Sequence, residues 1–175
     1  MRTRLRAEAG LGLVELLIAM TVLSVALLAL VAAFTSGAFS LRRASETSTA
    51  AALADQQMEL YRAVKYCAIR LDDASLPAPA PYASDSAYSG SQVLDTAVCG
   101  GSAQPCGAGP PPECDASREV TGPDGRRYRV DSYIVHQTPS GGRELKQVTV
   151  VVRHAADPTV GGIVRVSSRF DRISG

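Results

Sequence analysis

Several things are missing from this 175-residue chain, and each absence removes a class of structure or chemistry. No proline occurs before Pro77, so nothing in the first 76 residues removes a backbone donor from a continuous helix. No Cys-x-x-Cys pair occurs, and the only histidines, His136 and His154, stand in strand-like text. A zinc site therefore lacks its usual donor spacing, and neither a metal nor any other cofactor is expected. No nucleophile elbow, phosphate loop or zinc-helix motif gathers Ser45, Ser48, the histidines or the aspartates, so the chain is not expected to be an enzyme.

Charge of one sign is missing locally. Residues 72–117 contain no Lys or Arg, whereas residues 118–175 carry ten basic and six acidic side chains. The net charge is only +1, so the chain as a whole does not advertise nucleic-acid binding. The late basic residues (Arg126, Arg127, Arg129, Arg143, Lys146, Arg153, Arg165, Arg169 and Arg172) interleave with acids and partly alternate along strands. An ordinary solvated sheet face explains them better than a nucleic-acid surface. Asp72, Asp73, Asp85, Asp95 and Asp115 lack the alternating oxygen spacing of a calcium loop, so they too are read as solvated.

What the chain does have is a membrane-length apolar run over residues 11–34, preceded by a head with three arginines and one glutamate. At ~1.5 Å per residue the run makes a helix of about 36 Å, enough to cross a bilayer core. The basic head reads as a cytoplasmic flank, which places everything beyond the run outside the cytoplasm. The run is too long for an ordinary secretory signal, and no small-residue cleavage pattern follows it at once. One acid, Glu15, lies inside it. An unpaired carboxylate in hydrocarbon is costly, so Glu15 calls for a functional reason.

The helical text continues beyond the span. Residues 40–70 are rich in Ala, Leu, Glu, Gln and Arg, and Leu53, Leu60, Val64, Cys67 and Leu71 make an apolar stripe opposite Asp55, Glu59 and Arg62. The pattern predicts one continuous or gently broken helix of roughly 60 residues, with its weakest point at Phe34-Thr35-Ser36-Gly37. Prolines, glycines and serines then oppose regular structure over residues 72–124. Four cysteines, Cys67, Cys99, Cys106 and Cys114, lie beyond the apolar run, where an oxidising compartment allows two disulfides in any of three connectivities. After the turn text Gly122-Pro123-Asp124-Gly125, three strand-like runs appear: Tyr128/Val130/Ile134, Val148/Val150/Val152 and Val164/Val166/Phe170, the first two joined by a hairpin-type connection around Pro139. The expected fold class is α+β, a long N-terminal transmembrane helix extending into a small antiparallel sheet domain. Its expected divisions are a leader (1–10), a membrane helix (11–34), a soluble helical extension (35–71), a cysteine-containing loop region (72–124) and a sheet region (125–175).

The text Gly10-Leu11-Gly12-Leu13-Val14-Glu15-Leu16-Leu17 and the apolar run after it resemble the cleavage and methylation signal of type IV prepilins and of the pseudopilins of type II secretion. The resemblance implies a pilin-like fold, cleavage between Gly10 and Leu11 by a prepilin peptidase, N-methylation of Leu11, and a role for Glu15 in assembly. Leu11 stands where many members have an aromatic residue, and Gly12 where many have Thr or Ser; neither change removes the glycine before the cut or the acid. Residues 40–59 and the strand texts near Tyr128 and Val148 resemble, more loosely, minor pilins and pseudopilins of the pilus-modification type. The implied function is a minor type IV pilin that starts or modifies a pilus-like filament by helix bundling. Its partners would be the prepilin peptidase, sibling pilins or pseudopilins, an inner-membrane platform and its assembly ATPase. The alternatives are a type II secretion pseudopilin and a membrane-tethered binding protein that never polymerises.

Overall fold

The structure is a computed structural model that describes residues 12–76, 85, 88, 92–99, 101–103, 105–107, 109–140, 142–156 and 161–172. The expected leader, with Gly10 and Leu11, lies outside the described residues. The chain divides into two compact units, Met1–Ala44 and Ser45–Gly175.

A single helix assignment, α1, covers Leu13–Ala63. In the first unit its hydroxyl side chains turn back on their own backbone: Thr21 donates to the Ile18 carbonyl at 2.8 Å, Ser24 to Met20 at 2.8 Å, Thr35 to Val31 at 2.8 Å and Ser40 to Ser36 at 3.1 Å. Polar groups on an apolar helix are satisfied this way without a partner outside it. Thr35, Ser36 and Gly37 are helical, so the weak point in propensity does not interrupt the assignment.

The second unit is an antiparallel sheet with the distal part of α1 laid on one face. Thr49, Ala50, Leu53, Ala54, Gln57, Met58 and Tyr61 are buried, a three- and four-residue spacing that forms one stripe. The stripe is rotated from the expected one: Leu53 is shared, Leu60 and Val64 are half-buried, and Asp55, Glu59 and Arg62 are exposed as expected. The helix also stops at Ala63, short of the expected end at Leu71, so Cys67 and Leu71 do not ride on it. A different local structure follows. Tyr66–Ala68 forms a 3-10 turn, and its carbonyl region is taken by the Lys146 ammonium, which donates to the Tyr66 oxygen at 2.9 Å and the Ile69 oxygen at 2.8 Å.

The sheet contains β3 (Ser117–Thr121), β4 (Arg127–Gln137), β5 (Leu145–His154) and β6 (Val164–Asp171), in spatial order β3-β4-β5-β6 and antiparallel throughout; a separate two-stranded ribbon pairs β1 (Val98–Cys99) with β2 (Ser102–Ala103). Three strands were expected in the sheet, and it has four among the described residues. The extra one, β3, falls in text read as loop, because Ser-Arg-Glu-Val-Thr is too short and too charged to show an alternating apolar pattern. The Gly122-Pro123-Asp124-Gly125 turn therefore sits inside a hairpin instead of opening the sheet. Gly125 takes a positive φ of 75°, and Gly122 packs so tightly that a Cβ there would come within 2.7 Å of Thr49 Cγ2. Only glycine fits both the turn and the close approach of the helix.

Tyr128, Val130 and Ile134 of β4 and Val148, Val150 and Val152 of β5 face the helix and form the core with Ala50, Leu53, Ala54, Met58 and Tyr61. Burial pushes the Tyr61 hydroxyl up to about 12, with Ser132 and Gln57 beside it acting in the opposite direction. The part of the β4 edge that extends past β3 is covered by other chain: the Val93 amide donates to the Ile134 carbonyl at 2.8 Å, and the Ser132 amide to the Ala116 carbonyl at 2.9 Å. Buried backbone groups are thereby paired.

Candidate functional site

The first unit carries the most unusual surface. Every large apolar side chain described from Leu13 to Leu41 is more than half exposed, Phe34 reaching 77%. A helix apolar all round suits a membrane or a bundle of its own kind. Among the described residues this is one helix long and apolar enough to cross a membrane. Glu15 lies in its first turn, exposed, with its amide donating to the Gly12 carbonyl at 2.9 Å. An acid at that position complements the positive end of the helix dipole.

The cysteines form two disulfides, Cys67–Cys99 and Cys106–Cys114, so one of the three open connectivities is chosen and no free cysteine remains among the described residues. Such bonds belong to an oxidising compartment. The crosslinked segments are also fastened by hydrogen bonds. Gln57 of α1 donates to the Pro112 carbonyl at 2.8 Å, the Ser75 hydroxyl accepts from the Ala116 amide at 3.0 Å, and Asp95 accepts from the Cys106 amide at 3.3 Å. Crosslinks and hydrogen bonds together thus fasten the described parts of a stretch poor in regular structure.

The face of the sheet away from α1 holds a feature that sequence reading missed. Asp131 is fully buried; it accepts Ser117 Oγ at 2.9 Å and Arg153 Nε at 2.9 Å, and Arg129 stands 3.2 Å from it. Arg153 also pairs with Asp85 and donates to Tyr133 Oη at 3.2 Å, and Arg165 donates to the second Asp85 oxygen at 2.6 Å. Tyr88 meets the Tyr133 ring edge-on at 5.8 Å between centroids. Asp85 and Tyr88, both from the proline-rich region, are thus anchored onto a sheet face that was expected to be solvated. Asp85 is an arginine partner and not a solvated or calcium-binding acid. Burial alone would lower Arg153, but Tyr133, Asp131 and Asp85 reverse this and raise it. Burial pushes the Tyr133 hydroxyl up to about 12. The available signal was the mixture on that face of β4 and β5, where Tyr133 and Val151 stand among the charges; a purely solvated face has no use for them.

Lys146 departs in the same way from the expected solvated face, since it is almost fully buried beneath the 66–69 turn. Burial is the main cause that pushes its ammonium down to about 8, Glu144 opposing and Arg70 adding to the shift. Among the described residues no group of three or more His, Cys, Asp or Glu side chains is placed to hold a metal ion. Comparison of the chain with protein-family models, curated proteins and solved structures finds no match.

Proposed function

We propose that this chain is a membrane-anchored filament subunit, a minor type IV pilin that starts or modifies a pilus-like fibre. One observation carries the proposal: an all-round apolar helix with a single acid in its first turn, joined in sequence to a small disulfide-crosslinked α+β domain. The prepilin-like text around Gly10 and Glu15 supports it. Removal of a ten-residue leader leaves the apolar helix intact and creates a positive amino group at Leu11, close in sequence to Glu15. In a fibre, the Glu15 carboxylate of one subunit pairs with the amino terminus of a neighbour, which offsets its desolvation and sets the axial register. The work is non-covalent: helices bundle, and the outer domains decide which siblings fit. The partners in this scheme are the prepilin peptidase, sibling pilins, an inner-membrane platform protein and its ATPase.

Coexpression with a prepilin peptidase, followed by mass spectrometry of the mature terminus, tests the scheme. The expected product begins at N-methylated Leu11. A chain still carrying Met1 as its working terminus would sink the proposal, because the cation would be misplaced. For Glu15→Ala, membrane insertion stays unchanged, while incorporation into sheared filaments falls about tenfold or more, a factor that corresponds to ~1.4 kcal/mol. Equal recovery of variant and parent from the filament fraction would remove Glu15 from the assembly contact.

A further inference from the structure

We infer that the recess beside the Cys67–Cys99 disulfide is a binding site for a small oxyanion, a phosphate- or carboxylate-type group, held by Arg70, Lys146 and Arg172. The site does not depend on the filament proposal. Its volume is about 90 Å³. That is room for a small anion or a few waters.

Charge and unmet hydrogen bonding agree on the sign of the occupant. Three cations line the recess against one carboxylate, Glu144, and Glu144 is already engaged by His136 Nδ1 at 2.7 Å. Lys146 donates two of its three protons to the Tyr66 and Ile69 carbonyls at 2.9 and 2.8 Å, which holds the ammonium in place over the Tyr66 ring, 4.6 Å from its centre. The ammonium is thereby held as a fixed cation in the lining. Arg70 reaches the Cys67 and Pro105 carbonyls only at 3.5 and 3.4 Å, at the weak limit for such bonds. Its Nε, like the Tyr66 hydroxyl, is buried with no hydrogen-bond partner among the described residues. Tyr66 itself is only 5% exposed, and a buried hydroxyl of this kind is a donor that an oxyanion can accept. None of the undescribed positions between 77 and 108 is acidic.

The rest of the lining is the disulfide and apolar side chains. Two guanidinium forks with one ammonium match an oxyanion's oxygens better than they match chloride. Lys146 links the site to the fold, because the same ammonium that meets the anion caps the turn bearing Cys67.

The test is calorimetric titration of the full chain in detergent micelles with inorganic phosphate and, separately, with acetate, each against sodium chloride at matched ionic strength. Saturable binding of at least one probe is expected, weakened about tenfold or more in Arg70→Gln and in Arg172→Gln, as losing a hydrogen bond to a charged group implies. Arg172 is exposed, so its substitution tests binding without disturbing the core. Arg127→Gln, a surface change on β4 away from the recess lining, is expected to bind like the parent. No saturation with either probe, full affinity in Arg172→Gln, or equal weakening in Arg127→Gln would each overturn the site.

Discussion

Arg153→Met lowers the unfolding free energy by about 3–5 kcal/mol, the range for breaking a buried ion pair by removing one partner. The magnitude reflects the charges left behind. Arg153 is 6% exposed at its side chain, and its removal strands Asp131, which is fully buried, and Asp85, at 4%. Each keeps some support: Asp131 retains Ser117 at 2.9 Å and Arg129 at 3.2 Å, and Asp85 retains Arg165 at 2.6 Å. The loss should therefore fall toward the lower end of that range. Arg127→Met is the comparison, because Arg127 pairs with Glu119 at 3.3 Å on an exposed surface. An exposed pair of this kind is worth roughly 0–1 kcal/mol. Urea unfolding of the second unit's signal, with the full chain in micelles, measures both. If Arg153→Met costs no more than Arg127→Met, the buried network does not hold Asp85 and Tyr88 against the sheet.

The network is also where legibility in the sequence ran out. The elements that repeat a period were readable. The apolar run gave the first part of α1, and alternation at Tyr128, Val130, Ile134, Val148, Val150 and Val152 gave the two central strands and the face they turn to the helix. Elements governed by particular partners were not. β3 is defined by pairing with β4 across a tight turn, the 3-10 turn that follows the helix is held by Lys146 from β5, and Asp85 is buried because two arginines far along the chain wait for it. Pairing between charges 68 and 80 positions apart leaves no local pattern to read. The candidate site divides the same way: Glu15 stood out as a break in an apolar period, whereas the recess at Lys146 depends on five stretches of chain that meet only after folding.

The disulfides offer the second large effect, and an ordering between them. Cys67 and Cys99 are 32 positions apart, Cys106 and Cys114 only 8. If a crosslink acts mainly by restricting the unfolded chain, the longer closure is worth about 3.7 kcal/mol and the shorter about 2.5 kcal/mol. The expected result is that Cys67→Ser with Cys99→Ser destabilises more than Cys106→Ser with Cys114→Ser, by roughly 1 kcal/mol in urea midpoint analysis. Two structural facts push in the same direction. Cys67 lies in the 3-10 turn that Lys146 caps, so freeing it loosens the helix end as well as the loop. Cys106 and Cys114 keep other ties, the Cys106 amide to Asp95 at 3.3 Å and the Cys114 amide to the Pro111 carbonyl at 2.8 Å. Non-reducing peptide mapping of the exported protein fixes the connectivity first: a Cys67–Cys106 or Cys67–Cys114 peptide, or four free thiols, would remove the premise. With the connectivity as described, a larger loss from the short closure would mean that native-state contacts around Pro111 and Cys114, and not chain entropy, set the stability of this region.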